Sequence, residues 1–176
     1  MHAKMSDDKK VKKHNNRPDL AGEHFYGDLG QLIFLIIFLV VWILDSFIFQ
    51  YSTFISKYIP LIIRIIFSAL ILIYSGFLAR RGLKIVFGEI REEACVIRNG
   101  VFKIVRHPIY LGAILLYLGL IVLTFSLLSA FIWILIIIFY YFISKYEEKI
   151  LTKEFGNSYL QYMTEVPMLI PRIFKR

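Results

Sequence analysis

A chain of 176 residues in which 58 % are apolar and 16 % aromatic carries more greasy surface than a soluble domain of this length can bury, yet its charges are gathered into separate blocks. The formal net charge of +8 raises nucleic acid as a partner, but the basic residues lie in short segments between apolar runs, a distribution that excludes such a role. The single cysteine, Cys95, excludes an internal disulfide and a cysteine-based zinc site, and reads as an ordinary buried thiol.

Taken in chain order, residues 1–28 read as a mobile basic cytosolic arm, with Lys4, Lys9, Lys10, Lys12, Lys13 and Arg17 drawn toward anionic headgroups. His2, His14 and His24 sit in or beside it without metal-ligand spacing. The polar length of this arm and the lack of a small-residue cleavage pattern speak against a cleavable signal peptide. Residues 29–80 read as a transmembrane hairpin, because Leu32–Phe49 and Leu61–Leu78 each approach the roughly 20 helical residues that cross a hydrocarbon core. Asp45 and Arg64 fall inside these spans, each about 7 Å below the same outer boundary at the helical rise per residue, so an ion pair locking the hairpin is expected.

Residues 81–176 read as the functional part. The loop from 79 to 106 contains a charged run, Arg91-Glu92-Glu93, expected to be solvated. An apolar patch, Ala94-Cys95-Val96-Ile97, then leads into the turn signal Arg98-Asn99-Gly100 and into Val101-Phe102. The apolar run from Pro108 to Ile143 is about twice one span, and Thr124-Phe125-Ser126 with Ser129 marks its middle, which predicts two helices joined by a very tight turn. The first outer turn offers only Lys57 and the second no charge, whereas every other connection is basic. The positive-inside rule then places both termini in the cytosol. Beyond the last span, Leu151, Phe155, Tyr159 and Tyr162 recur at helical spacing before Pro167 and predict an amphipathic interfacial helix, either an anchor or a lid. The fold class is therefore all-α: a polytopic transmembrane bundle of about four spans with a C-terminal amphipathic helix, partnered by the lipid bilayer.

Two clusters could carry chemistry. Arg106-His107-Pro108-Ile109-Tyr110-Leu111-Gly112 opens the third span, where an interfacial Arg and His, a Pro in the first helical turn and a Tyr in the aromatic belt are individually unremarkable placements. Glu147-Glu148 follows the fourth span and by itself would be a solvated face supported by Lys145, Lys149 and Lys153. The two helices are of nearly equal length, however, so both clusters come to the same depth. Arg106 and His107 opposite two carboxylates suit a zwitterion with an additional positive centre. S-adenosylmethionine is such a molecule: Arg106 could take its carboxylate and a Glu its ammonium group. Gly112 would allow close approach, and the ring of Phe102 or Tyr110 would favour the sulfonium.

The ordered set Gly100-x-Phe102-x3-Arg106-His107-Pro108-x-Tyr110-x-Gly112, Glu147-Glu148 and Phe155-Gly156-x2-Tyr159-x2-Tyr162-x3-Val166-Pro167 resembles the isoprenylcysteine carboxyl methyltransferase family and its phospholipid N-methyltransferase relatives. The resemblance covers about Ala94 to Pro171. It implies an integral membrane S-adenosylmethionine-dependent methyltransferase in which His107, Pro108, Ile109 and Tyr110 contact the cofactor, Glu147 binds its amino-acid end, and Val96, Ile97 and Phe102 wall the adenosyl part. Phe102 stands where a Tyr is usual. Ile143 stands where the eukaryotic prenylcysteine enzymes have an Arg aimed at the substrate carboxylate, and Lys145 points elsewhere.

The mechanism expected is direct displacement on the methyl group by a lipophilic or small-molecule acceptor, through positioning and desolvation. A carboxylate acceptor needs no base, whereas an amine or thiol does, and Glu148, with Arg106, is then the candidate catalytic residue. The alternatives are a sterol-reductase-like NADPH-binding membrane protein and a non-catalytic membrane scaffold. The acceptor and the oligomeric state stay open at this level.

Overall fold

A computed structural model describes residues 25–88 and 95–172. The arm with His2, His14 and His24, and the Arg91-Glu92-Glu93 run, lie outside the described residues.

All regular secondary structure among the described residues is helical. Helix α1 spans Phe25–Ile43 and continues as one π-helical segment, Leu44–Phe49, that ends on Gln50 at φ 53°. A short 3-10 turn, Phe54–Tyr58, leads to α2, Leu61–Gly88. After the 3-10 turn Gly100–Lys103 come α3, Pro108–Thr124, α4, Leu127–Phe155, and α5, Asn157–Glu165. Leu29–Phe49, Leu61–Gly88 and Leu127–Phe155 are long and apolar enough to cross a membrane, and α3 is a shorter apolar helix of 17 residues. Side chains such as Leu32, Ile36, Ile62 and Phe131 point outward from these helices, as lipid-facing residues must.

The tight turn falls where the sequence places it. Phe125 closes α3 in the left-handed conformation at φ 51°, and the Ser126 hydroxyl caps α4 by accepting the Ser129 N–H at 3.1 Å. This corner also corrects the expected ion pair. Asp45 is buried, but its carboxylate accepts from the Ser52 N–H at 3.0 Å, from the Ser52 hydroxyl, and from the Ser126 hydroxyl at 2.5 Å. Arg64 donates instead to the Leu123 carbonyl at 2.9 Å. Both charges tie their helices to the α3–α4 corner, because its orphan backbone and hydroxyl groups lie nearer to each of them than they do to one another.

The α2–α3 interface is a stripe of small residues. Ser68 donates to the Gly119 carbonyl at 2.8 Å and Ser75 to the Gly112 carbonyl at 2.7 Å. A Cβ on Gly112 would lie 3.1 Å from the Ser75 carbonyl oxygen and 3.2 Å from the Ala79 nitrogen. The close approach that Gly112 permits in this structure is between two helices.

A core of Phe38, Ile114, Tyr117, Ile121, Ile136 and Tyr140 joins α1, α3 and α4, and Leu169 from the C-terminal segment completes it. Helix α4 has 29 residues, about 44 Å at the usual rise, so its last turns project beyond a hydrocarbon core of about 30 Å. Leu151 and Phe155 belong to this helix rather than to the separate interfacial one. The segment 147–155 contains no breaker, and the helix ends only at Gly156, whose φ 54°, ψ −131° suits glycine.

Candidate active site

Two local features set the site. Pro108 starts α3 and the preceding His107 occupies its N-cap position. The C-terminal segment then runs beside this entrance: the Arg106 N–H donates to the Pro167 carbonyl at 2.9 Å and the His107 N–H to the Met168 carbonyl at 3.1 Å. The backbone of 106–107 is therefore held from both sides before any side chain is considered.

The side chains form one charge-balanced cluster. Arg106 Nε donates to Glu148 Oε1 at 2.6 Å, with both side chains less than a tenth exposed. Its Nη1 donates to the Met163 carbonyl at 2.8 Å and to the Val166 carbonyl at 2.5 Å, so the guanidinium also caps the C-terminal end of α5. His107 Nδ1 lies 3.3 Å from Glu147 Oε2 and Nε2 lies 3.3 Å from Glu148 Oε1. A neutral imidazole donates from one nitrogen only, so carboxylate oxygens at both nitrogens favour the imidazolium. Burial alone favours the neutral ring, but the hydrogen bonds and charges of Glu147 and Glu148 outweigh it and hold His107 above its ordinary value of 6.5. Tyr110 donates its hydroxyl to Glu147, and its ring stacks on His107 with centroids 5.6 Å apart.

These groups stand at one end of a cavity of about 790 Å³. Val96, Ile97, Phe102, Arg106, His107, Pro108, Ile109, Tyr110 and Glu147 all line it. Two expected site residues do not. Gly112 packs on α2, and Glu148 sits behind Arg106 and His107, off the cavity wall. Cys95, read from sequence as a buried thiol, is exposed and lines the cavity. Ile143 lines it too, whereas the Lys145 ammonium lies over the Tyr141 ring at 5.3 Å and does not.

The sequence reading missed the opposite walls. Gln31 from α1, Leu83, Val86 and Phe87 from α2, and Phe139, Phe142 and Tyr146 from α4 also line the cavity. Phe139, Phe142, Ile143, Tyr146 and Glu147 recur at helical spacing, a stripe that could have been extrapolated backward from Glu147. No comparable signal marks Gln31 or Leu83, which only the helix arrangement brings here.

The end of α4 and helix α5 complete the wall: Leu151 and Phe155 of α4 and Tyr159 and Tyr162 of α5 line the cavity, and Tyr162 donates its hydroxyl to the Phe102 carbonyl at 2.6 Å. Burial pushes the Tyr159 and Tyr162 hydroxyls above the usual phenol range, so both remain donors. Arg98 donates to the Ser158 carbonyl and lies 4.0 Å from Glu165, pinning α5 from outside.

Over 106 residues the chain is 35 % identical to methanethiol S-methyltransferase 2 of Bradyrhizobium diazoefficiens, an alignment covering 57 % of this chain and 36 % of the relative. The chain thus spans about a third of the length of the curated relative it matches. No solved structure matches it at a significant level. Residues 58–158, from the 3-10 turn before α2 to the start of α5, match the phospholipid methyltransferase family. That stretch contains α2 to α4 and the four side chains of the charge cluster, and it is on this match that the chain belongs to the phospholipid methyltransferase family.

Proposed function

We propose that the chain is an S-adenosylmethionine-dependent membrane methyltransferase whose acceptor is a small or lipophilic thiol. The observation that carries the reading is that Glu147 is the one acidic residue among those described as lining a cavity of suitable size, opposite the cationic Arg106 and His107. Cavities of about 300–1,000 Å³ with apolar walls and a few convergent polar groups are the usual form of small-molecule sites.

When bound, S-adenosylmethionine supplies an electrophilic methyl group. Glu147, already oriented by Tyr110 and His107, is the group to hold an ammonium. Nη2 of Arg106 has no hydrogen bond among the described residues, which leaves it to take a carboxylate. Val96, Ile97 and Phe102 form the apolar wall against which a purine would lie. Tyr159, Tyr162 and Phe155 exclude water from that end, and their π faces favour a sulfonium. The cluster end of the bundle is also its basic end, which supports a topology with both termini in the cytosol.

The acceptor follows from which charges are already engaged. Apart from Arg106 and His107 no basic residue is described among those lining the cavity, so a carboxylate or phosphate acceptor would find no counter-ion. Glu148 cannot reach an acceptor proton past Arg106 and His107, and Glu147 is engaged by Tyr110 and His107, so no free base awaits a protonated amine. A neutral thiol enters this apolar cavity without a counter-ion and without the desolvation cost of an ammonium or a carboxylate, and the proton it sheds on attack passes to water. The Bradyrhizobium relative is by its name a thiol methyltransferase as well.

The test is twofold. Glu147→Gln should weaken S-adenosylhomocysteine binding by roughly 10- to 100-fold, the scale of one charge-assisted hydrogen bond. In vesicles with labelled S-adenosylmethionine, methanethiol or a longer alkyl thiol should acquire label while fatty acids do not. Unchanged affinity in Glu147→Gln removes the cofactor assignment, and label on an amine or carboxylate acceptor alone removes the thiol assignment.

A further inference from the structure

On a different face of α2 lies a second groove of about 480 Å³ that shares no residue with the cavity above. Phe77, Arg81 and Lys84 form one wall, and Asn99, Gly100 and Ile104 the other. The walls meet because Ile85, buried beneath, packs on Val101, and because Gly100 at φ 55° brings the turn so close that a Cβ there would lie 2.7 Å from Ile85 Cδ1. Arg81 and Lys84 stand three residues apart and so share one helix face. The Arg81 guanidinium lies over the Phe77 ring at 5.8 Å, which aims it along the groove. No acidic residue is described in the lining, and neither cation enters an ion pair among the described residues.

Depth supplies the second observation. Arg80 and Arg81 are the first charges after the apolar length of α2, so the groove crosses the edge of the hydrocarbon region. Phe77, one turn toward the lipid, is 46 % exposed, and Ile104 opposite it is 37 % exposed. The groove is therefore cationic at its aqueous end and apolar at its membrane end.

We propose that this groove binds one anionic phospholipid, its phosphate between Arg81 and Lys84 and an acyl chain along Phe77 and Ile104. A soluble phosphate ester shares the headgroup chemistry but would leave the apolar end uncovered. The site is distinct from the methyl-transfer cavity and does not depend on the acceptor assigned there.

The experiment is native mass spectrometry of the full chain in detergent doped with phosphatidylglycerol or with phosphatidylcholine of the same acyl chains, with glycerol 3-phosphate as a soluble competitor. One phosphatidylglycerol should be retained, with a preference over phosphatidylcholine of about tenfold or more, the scale of two basic side chains near a headgroup. The double variant Arg81→Gln/Lys84→Gln should lose that preference, while Arg80→Gln/Lys149→Gln, which removes the same charge elsewhere, should keep it. Circular dichroism of both variants checks that the helices are intact. Equal loss in the two double variants would mean a diffuse basic field and overturn the site, as would equal retention of the two lipids. Displacement by glycerol 3-phosphate at concentrations equal to the lipid's would overturn the lipid assignment in favour of a soluble anion.

Discussion

Replacing Glu148 by Gln separates two roles that its position in the sequence allows equally. In the structure Glu148 Oε1 receives Arg106 Nε at 2.6 Å and faces His107 Nε2 at 3.3 Å, and it is 5 % exposed. It does not line the cavity and touches it only through Arg106 and His107, which do. Removing one partner of a buried ion pair costs about 3–5 kcal/mol, because the remaining charge stays buried without compensation. Gln keeps an acceptor for Arg106 Nε, so its cost falls at or just below the bottom of that range, about 2–3 kcal/mol, whereas Glu148→Leu should reach the top. For a chain of this length 3 kcal/mol corresponds to a fall in thermal midpoint of roughly 6–12 °C. Thermal unfolding in detergent, followed by the fluorescence of Trp42 and Trp133, measures that fall. Titration with S-adenosylhomocysteine on the same sample should show weakened binding, since Arg106 and His107 are no longer held. A Glu148→Gln protein with the parental midpoint and cofactor affinity, but a collapsed kcat, would refute the positioning role and restore Glu148 as a proton acceptor.

Two further predictions rest on the same geometry. His107 carries a raised pKa in the folded state, so its proton is held more tightly there than in the unfolded chain; its contribution is complete below the ordinary value of 6.5 and is lost as pH rises through the folded value. The difference in midpoint between the parent and His107→Gln should accordingly be larger at about pH 6 than at about pH 9, and a difference that grows with pH would contradict the sign. Gly112→Ala forces a methyl group against backbone of α2 at 3.1 and 3.2 Å and should destabilise the bundle by about 1–3 kcal/mol, while Ser75→Ala, which loses a single hydrogen bond, should cost about 1 kcal/mol. Cofactor affinity of the folded Gly112→Ala fraction should match the parent; a selective loss of affinity would return Gly112 to the cofactor site.

What could be read from the residues alone depended on how local the determining interaction was. The corner at Thr124-Phe125-Ser126 was legible because a hydroxyl capping its own helix is a matter of a few neighbouring residues. The meeting of Arg106–Tyr110 with Glu147 was legible because two helices of similar length joined by a tight turn must bring their far ends to one depth. Asp45 and Arg64 illustrate the limit. Depth placed them at one level, but depth carries no information about azimuth, and each side chain turned to the α3–α4 corner instead of to its expected partner. Glu147 and Glu148 show the same limit at finer scale: adjacent residues on a helix differ by about 100° in direction, so one faces the cavity and the other faces Arg106.

The sequence by itself determined the all-helical membrane character, the order of the spans and the set of residues around the entrance to α3, because apolar length, charge blocks and helix breakers act locally along the chain. Only the tertiary structure decided which side chain of each cluster faces the cavity. That choice depends on rotation and close packing between helices, as at Gly112 against Ser75 and Ala79, and on the C-terminal segment folding back so that Pro167 and Met168 take the N–H groups of Arg106 and His107. Those contacts join residues far apart in sequence, and the energies that select them are sums over many neighbours that no single motif contains.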